Sequence, residues 1–132
     1  MSTFKHLGKT TDYPDNPENA ILDSFDNPAP GRSYQISLDC PEFTTLCPIT
    51  GQPDFAHLII NYIPDQKCVE SKALKLYLFS FRNIGSFHEA VTNRILDDLV
   101  AAIHPKWMEI IGDFSVRGGI GIQITVQHGS KE

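Results

Sequence analysis

The C-terminal stretch WMEIIGDFSVRGGIGIQITVQ, residues 107–127, decides the fold. Its second half alternates isoleucine or valine with polar or small residues over 120–127, which is typical of a strand with one buried face. Residues 107–116 are predicted to form the partner strand, and the short Arg-Gly-Gly segment at 117–119 separates the two. The sequence therefore predicts that the chain ends in a β-hairpin.

Two strands and two helices are predicted upstream of this hairpin. Apolar residues alternate over 33–40 and form one face of 55–63, which indicates strands. Strong helix formers predict a helix over 70–84, and a helical apolar period predicts another over 87–103. The order β-β-α-α-β-β predicts an α+β domain with a four-stranded antiparallel sheet covered by two helices. Because such a sheet has open edges, we expect a homo-oligomer.

Proline placement divides the chain. Pro14, Pro17, Pro28 and Pro30 predict an extended arm over residues 1–32, since proline is unfavourable inside helices and central strands. The remaining residues, 33–132, are expected to form one domain, which is what a chain of 132 residues can support.

Composition excludes several classes of protein. The net charge of −5 argues against a general nucleic-acid binder, which needs a surplus of Lys and Arg for phosphate contacts. No apolar run reaches the roughly 20 residues of a membrane span. The polar N-terminus shows no secretory signal, and three cysteines without a C-x-x-C pattern favour a reduced, cytoplasmic setting.

A proline-rich segment, predicted to be a loop over 41–54, contains the most interesting thiol. Cys47 sits there between two strands, where functional groups are often presented. It is a candidate nucleophile, although most free cysteines behave as small buried apolar residues. Asp54, at the end of the segment, is a candidate proton donor or acceptor for the same site, or an ordinary loop aspartate.

Cations on the first helix suggest a phosphate site. Lys72, Lys75 and Arg82 share one face with Phe79, which suits a phosphate-bearing ligand with an aromatic ring, although a solvated basic face is the commoner reading. Arg117 precedes two glycines and is either a further cation or part of a plain hairpin turn.

Acidic residues near the two helix starts have two readings. Glu70 and Glu89 either complement the helix dipole or bind the N–H edge of a guanine-like ring. Ser86 and Glu89 match a capping box, His88 lies next to that pair, and Gly85 is a plausible cap for the end of the first helix. Histidine and cysteine spacing predicts no metal site, and neither a P-loop nor a dinucleotide-binding glycine motif occurs.

Three motifs, in order and spacing, resemble those of a known family. EFTTLCPITGQPDF spans residues 42–55, ESKALKLY spans 70–77 with FSFRN at 79–83, and FHE at 87–89 is followed by RGG at 117–119. Over most of the chain these residues resemble the NADPH-dependent 7-cyano-7-deazaguanine reductases of queuosine biosynthesis, a tRNA-modification pathway, in their short single-domain subfamily.

The resemblance implies a fold and a reaction. The expected fold is the tunnelling fold (T-fold) shared with GTP cyclohydrolase I, in which subunit sheets join into a barrel and active sites form between subunits. The expected reaction reduces the nitrile of a 7-deazapurine to an aminomethyl group with two NADPH. Cys47 would form a covalent thioimide, and Asp54 would protonate the nitrile-derived nitrogen. The chain lacks the zinc-ligand pattern of the cyclohydrolase relatives.

The resemblance also assigns the remaining site residues. Glu89 would anchor the guanine-like edge, and His88 would line the reacting end. The full set that it implies is Glu70, Ser71, His88 and Glu89 for the substrate and Lys72, Lys75 and Arg117 for NADPH phosphates.

Two other functions stay open at this point. A nitrilase-like thiol hydrolase would also use Cys47 but would resolve the thioimide with water, and it would need no basic stripe. A catalytically silent T-fold protein would bind a purine or pterin through Glu89 and would need neither Cys47 nor Asp54. Dependence on NADPH separates the reductase from both.

Overall fold

The structure is a computed structural model that describes residues 13–132. Within this range neither helix is long and apolar enough to cross a membrane. In chain order the elements are a 3-10 helix at Pro17–Asn19, β1 Ser24–Asp26, β2 Ile36–Leu46, β3 Pro53–Ile63, β4 Lys67–Val69, α1 Ser71–Phe79, α2 His88–Ile103, β5 Trp107–Arg117 and β6 Ile120–Gly129.

The four long strands form one antiparallel sheet in the order β2-β3-β5-β6. β2 and β3 form the first hairpin, β5 and β6 form the second, and both α-helices lie between the hairpins in the chain. This arrangement confirms the predicted element order and the α+β class. β1 and β4 form a separate two-stranded sheet that the sequence did not predict.

The core lies between one face of the sheet and the helices. Apolar residues of α2 recur every four positions and form a buried stripe. Each such side chain stabilises the fold by about 1.5–3 kcal/mol relative to an exposed one. Six apolar core side chains have no solvent exposure: Leu58, Ile60, Ile95, Leu99, Met108 and Ile110.

β2 is longer than predicted. The expected loop over 41–54 is wrong at both ends, because β2 continues to Leu46 and β3 begins at Pro53. A bulge between Cys40 and Phe43 carries the strand past Pro41. Proline is tolerated there because β2 is an edge strand, and it is tolerated at position 53 because that is the first residue of its strand.

The first helix is shorter than predicted. It ends at Phe79, and residues 80–84 form tight turns with hydrogen bonds to carbonyls three residues back. Gly85 is not a helix cap, because it forms an isolated bridge with Leu46 at the end of β2. Leu46 makes backbone hydrogen bonds of 3.0 and 3.1 Å to the residues on either side of Gly85. Pairing with β2 therefore takes this segment out of the helix.

The predicted capping box at the start of α2 is also wrong. Phe87 is the N-terminal cap and makes no side-chain capping bond, while the Ser86 hydroxyl donates to the Phe87 carbonyl at 3.3 Å. The bridge to β2 holds this segment instead. As a result α2 begins at His88, close to the end of β2, where the next residue is Cys47.

The predicted N-terminal arm is described only in part. Residues 1–12 lie outside the described residues. In the remainder, β1 pairs with β4 so that Phe25 lies opposite Cys68, and Leu22 packs against the core. The boundary at residue 32 stays a prediction.

Candidate active site

The loop between β2 and β3 presents Cys47. The Cys47 N–H donates to the Gln52 carbonyl at 2.8 Å, and the Gly51 N–H donates to the Cys47 carbonyl at 2.9 Å. Gly51 has φ +72°, a conformation that residues with a Cβ rarely adopt. The loop is thereby closed on itself and holds the half-buried thiol at its base.

Hydrogen bonds within this loop activate the thiol. They hold the pKa of the Cys47 thiol below its usual value, and the largest contribution comes from the Thr50 side chain. The backbone N–H groups of Thr50 and Ile49 act in the same direction, while burial and the Asp54 charge act against them. Because the thiolate is the reactive form, this environment favours nucleophilic attack by Cys47 at neutral pH.

Asp54 is a buried carboxyl at the start of β3, with a side chain that is 7% exposed. Its Oδ1 lies 2.9 Å from Nε of Arg117, and its Oδ2 lies 3.4 Å from Nε2 of His88. A buried carboxylate needs such partners, because removal from water is costly without them. Its charge also acts on the Cys47 thiol. The pairing of Leu46 with Pro53 places Cys47 and Asp54 at the same end of the β2–β3 hairpin, and their roles as nucleophile and acid stay predictions.

His88 is held by two contacts. Its ring stacks on Phe114 of β5 with centroids 3.9 Å apart and planes at 11°. Its carbonyl accepts a hydrogen bond of 2.7 Å from the Thr92 hydroxyl one turn later in α2. These contacts hold the imidazole beside Asp54, and a role for His88 at the reacting end stays a prediction.

Arg117 lies at the same site. Besides Asp54, its guanidinium contacts the Gln52 side-chain oxygen at 3.3 Å and the Pro53 carbonyl. The structure shows the guanidinium bound to β3 and the end of the Cys47 loop, and the contact with a cofactor phosphate that the resemblance implied stays a prediction.

The basic face of α1 borders a separate groove. This groove, of about 540 Å³, lies between α1 and β2. Arg82 stacks over the Phe79 ring at 4.7 Å, and the Tyr13 ring packs against Phe79 with centroids 4.5 Å apart. Lys72 does not line the groove. From α1 the lining residues are Ser71, Leu74, Lys75, Leu78, Phe79 and nearby Arg82.

The two glutamates at the helix starts differ. Glu70 is the N-terminal cap of α1, and its carboxylate accepts hydrogen bonds of 2.9 and 2.6 Å from the N–H groups of Lys72 and Ala73. Glu70 therefore stabilises the start of α1, in agreement with its helix-dipole reading. Glu89 is exposed in the first turn of α2, and within residues 13–132 no hydrogen bond or ion pair reaches its carboxylate. A substrate contact stays a prediction for both.

Sequence reasoning missed several residues of the site. Thr50 could have been predicted from the sequence, because it lies three positions after Cys47 in the same loop. Gln52 and Phe114 carry no such signal, because their roles depend on how β3, β5 and α2 pack. Across residues 13–132, no three His, Cys, Asp or Glu side chains are grouped so that they could hold a metal ion.

Thr45 is a further residue without a sequence signal. It lies opposite Asp54 in the β2–β3 register, so both side chains share the buried face of the sheet. Its hydroxyl is fully buried and has no hydrogen-bond partner among the described residues. An unpaired buried hydroxyl is unfavourable, which marks Thr45 as a residue to test.

Comparison with known proteins identifies the family. A sequence model of the QueF-like protein family matches residues 53–132. A protein of Anaeromyxobacter sp. strain K named NADPH-dependent 7-cyano-7-deazaguanine reductase is 61% identical over 110 residues, covering 83% of this chain and 90% of that protein. Proteins of the same name from Magnetococcus marinus and Methylobacillus flagellatus are 59% and 62% identical, over 85% and 81% of this chain and 88% and 77% of their own length.

A solved structure shares the fold. The crystal structure of an archaeosine synthase QueF-Like in the apo form aligns with a TM-score of 0.65 at 19% identity, over 74% of this chain and 94% of that one. This likeness confirms, for the single subunit, the tunnelling fold that the resemblance implied. Assembly into a barrel stays a prediction. The matched family model and the similar relatives show that the chain belongs to the family of NADPH-dependent 7-cyano-7-deazaguanine reductases.

Proposed function

We propose that the protein reduces the nitrile of 7-cyano-7-deazaguanine to the aminomethyl group with NADPH, in queuosine biosynthesis. The observation that carries the proposal is the pairing of an activated thiol, Cys47, with a buried carboxyl, Asp54, in a chain of this family. A nitrile carbon is a poor hydride acceptor, and covalent attachment to sulfur divides one difficult step into easier ones.

In the proposed first step, Cys47 becomes covalently attached to the substrate. The Cys47 sulfur forms a bond to the nitrile carbon, and one electron pair of the C≡N bond moves to nitrogen. The Asp54 carboxylate takes the proton that the thiol loses and passes it to this nitrogen. Thiol and nitrile thus combine into a thioimide without gain or loss of atoms. His88 lies beside Oδ2 of Asp54 during this proton transfer.

The residues around the α1 groove fit NADPH. Lys75 and Arg82 supply cations for phosphates, and Phe79 offers a ring face. Lys72 adds charge at the start of the same helix. NADPH held there would supply hydride, and two hydrides from two NADPH together with two protons would convert the nitrile to the amine. Cys47 must hold the carbon for the first reduction and leave as thiolate before the second.

Substrate recognition is assigned to groups near His88. Glu89 follows it directly, and an exposed carboxylate there suits the paired N–H donors of a guanine-like edge. Glu70 and Ser71 are assigned supporting contacts. Both Glu70 oxygens already accept one N–H each, and a carboxylate has further lone pairs for a ligand.

The proposal includes a homo-oligomer with active sites between subunits. Large apolar side chains are exposed within three residues of the site residues, and a partner subunit would cover them. Among residues 13–132 neither outer strand of the sheet has a further strand beside it, and only the end of β2 is bridged, from Leu46 to Gly85. The exposed apolar residues near the site are Ile49, Phe55, Phe87, Val116 and Ile120.

We also assign the protein to the cytoplasm. The proposed chemistry needs Cys47 as a free thiol, and all three cysteines are free thiols in the structure. Neither nucleic acid nor membrane is a proposed partner.

The test is consumption of NADPH on addition of 7-cyano-7-deazaguanine. We expect two NADPH oxidised per nitrile, and a mass adduct on Cys47 when NADPH is omitted. Cys47→Ala should lose both, whereas Cys40→Ala, which removes a thiol of β2 that lines the α1 groove, should keep the adduct. Release of ammonia without NADPH would favour the thiol hydrolase instead, and binding with neither adduct nor turnover would favour the silent binding protein.

A further inference from the structure

Arg117 binds three consecutive residues at the start of β3. Its Nε lies 2.9 Å from Oδ1 of Asp54, one terminal nitrogen lies 3.3 Å from the Gln52 side-chain oxygen, and the other contacts the Pro53 carbonyl. All three guanidinium nitrogens thus contact groups of the same protomer. Such a forked contact fixes orientation as well as distance.

A bulge in β5 is what brings Arg117 to this position. Up to Phe114 the β5–β6 register is regular, and Phe114 lies opposite Ile122. The register then shifts, so that Arg117 lies opposite Ile120, three residues on in β5 but only two in β6. β5 therefore contains one extra residue, and such a bulge turns a side chain to the other face of the sheet.

The bulge changes the face of the sheet on which the Arg117 side chain lies. Ala56 pairs with Phe114 on the buried face, and Asp54 lies two residues earlier in β3 on the same face. In a regular strand Val116 would share that face and Arg117 would point away from it. The extra residue reverses this order, so Arg117 faces Asp54 while Val116 stays exposed.

We propose that Arg117 is a positioning residue that orients the Asp54 carboxyl for proton transfer, rather than primarily a ligand of the NADPH phosphates. This inference rests on the proposed function. By donating to Oδ1, Arg117 leaves Oδ2 as the oxygen that carries the transferable proton. The titratable groups that face Asp54 are Arg117 from β5, His88 from α2 and Cys47 from the loop after β2.

Formation of the Cys47 adduct without NADPH separates the two roles. A positioning residue affects this step, because the acid must be aligned with the nitrile nitrogen. A phosphate ligand does not affect it, because no phosphate is present. We expect Arg117→Met to slow adduct formation by about tenfold to a hundredfold, the usual cost of a misplaced catalytic group, with little change in KM for NADPH. Arg117→Lys should recover part of the rate, because one of the three contacts can reform.

Two comparison variants complete the experiment. Lys67→Met removes another cation of an aspartate ion pair, 2.6 Å from Asp26 in the separate β1–β4 sheet, and should change neither the adduct rate nor KM. Lys75→Met should raise KM for NADPH, which gives the signature of a lost cofactor contact. If Arg117→Met formed the adduct at the wild-type rate and raised only KM, the positioning role would be wrong.

Folding and function are controlled separately. Should Arg117→Met fail to fold, Gln52→Ala removes one acceptor of the guanidinium and leaves Asp54 in place. It should slow adduct formation to a smaller extent, and an unchanged rate would overturn the proposal. Failure of the wild-type protein to form an adduct or to oxidise NADPH would instead refute the proposed function itself.

Discussion

Adding one methyl group at Gly112 tests how the active site is supported. Gly112 is a buried residue of β5, opposite Leu58. A Cβ at this position would lie 3.0 Å from a ring carbon of Phe114 and 3.1 Å from the Thr92 hydroxyl. Phe114 stacks on His88, and the Thr92 hydroxyl bonds to the His88 carbonyl. Gly112→Ala must therefore displace both contacts that hold His88.

The size of the effect follows from these distances. Ordinary van der Waals contact begins near 3.4 Å, so both neighbours must move by several tenths of an ångström. Overpacking of this kind costs about 1–3 kcal/mol. Replacing glycine by alanine within a strand also stabilises the folded state by roughly 0.5–1 kcal/mol, because the unfolded chain loses conformational entropy. We therefore expect a net loss of about 1–2 kcal/mol and a melting midpoint lower by about 4–8 °C. We also expect a lower kcat, because His88 moves relative to Asp54.

The matched control is Gly121→Ala in the neighbouring strand β6. Its added Cβ would lie 3.5 Å from Val116, an ordinary contact, so stability and kcat should stay near wild type. Thermal unfolding at fixed protein concentration and steady-state NADPH oxidation measure the two effects. If Gly112→Ala lost stability while keeping its kcat, Phe114 and Thr92 would not be what positions His88. If it lost neither, the packing argument itself would be refuted.

Three further variants test individual side chains. Thr50→Val removes the main group that lowers the pKa of the Cys47 thiol, so this pKa should rise. The rate of adduct formation, measured by stopped flow, should then increase only at a higher pH than in wild type. An unchanged pH profile would contradict this role of Thr50. Asp54→Asn should bind the nitrile substrate in calorimetry yet form the adduct much more slowly in intact-mass measurements, and equal loss of both would point to a binding role instead. Thr45→Val replaces a buried hydroxyl that has no partner among the described residues, so the free energy of unfolding should rise by about 1 kcal/mol in urea titrations. A loss of stability would show that the hydroxyl has a partner.

Periodicity predicted the parts of the fold in which one face of an element is buried. β3 and β6 alternate, α2 repeats its apolar residues every four positions, and all three lie within two residues of their predicted ends. Prediction was wrong where tertiary pairing overrides local preference. Pro41 suggested a loop, but an edge strand with a bulge accommodates it. Helix formers suggested that α1 continues to residue 84, but pairing with Leu46 ends it at Phe79.

The candidate site was predictable to the extent that it is local. Cys47 and Asp54 flank one tight loop, so their proximity follows from a hairpin. His88 reaches them only because the segment before α2 pairs with the end of β2. Arg117 was selected as a cation, but strict alternation would place its side chain on the opposite face from Asp54.

The position of Gly85 requires a small residue, but for a different reason from the helix cap that the sequence suggested. A glycine after a helix suggested a cap, which requires a left-handed conformation. The described backbone gives Gly85 no positive φ, and a Cβ there would lie 3.3 Å from Cα of Pro48 in the Cys47 loop. Because Gly85 has no side chain, the segment before α2 can pack closely against the loop that carries Cys47. The same approach brings the start of α2 to the end of β2, where the His88 ring lies 3.4 Å from the Asp54 carboxyl.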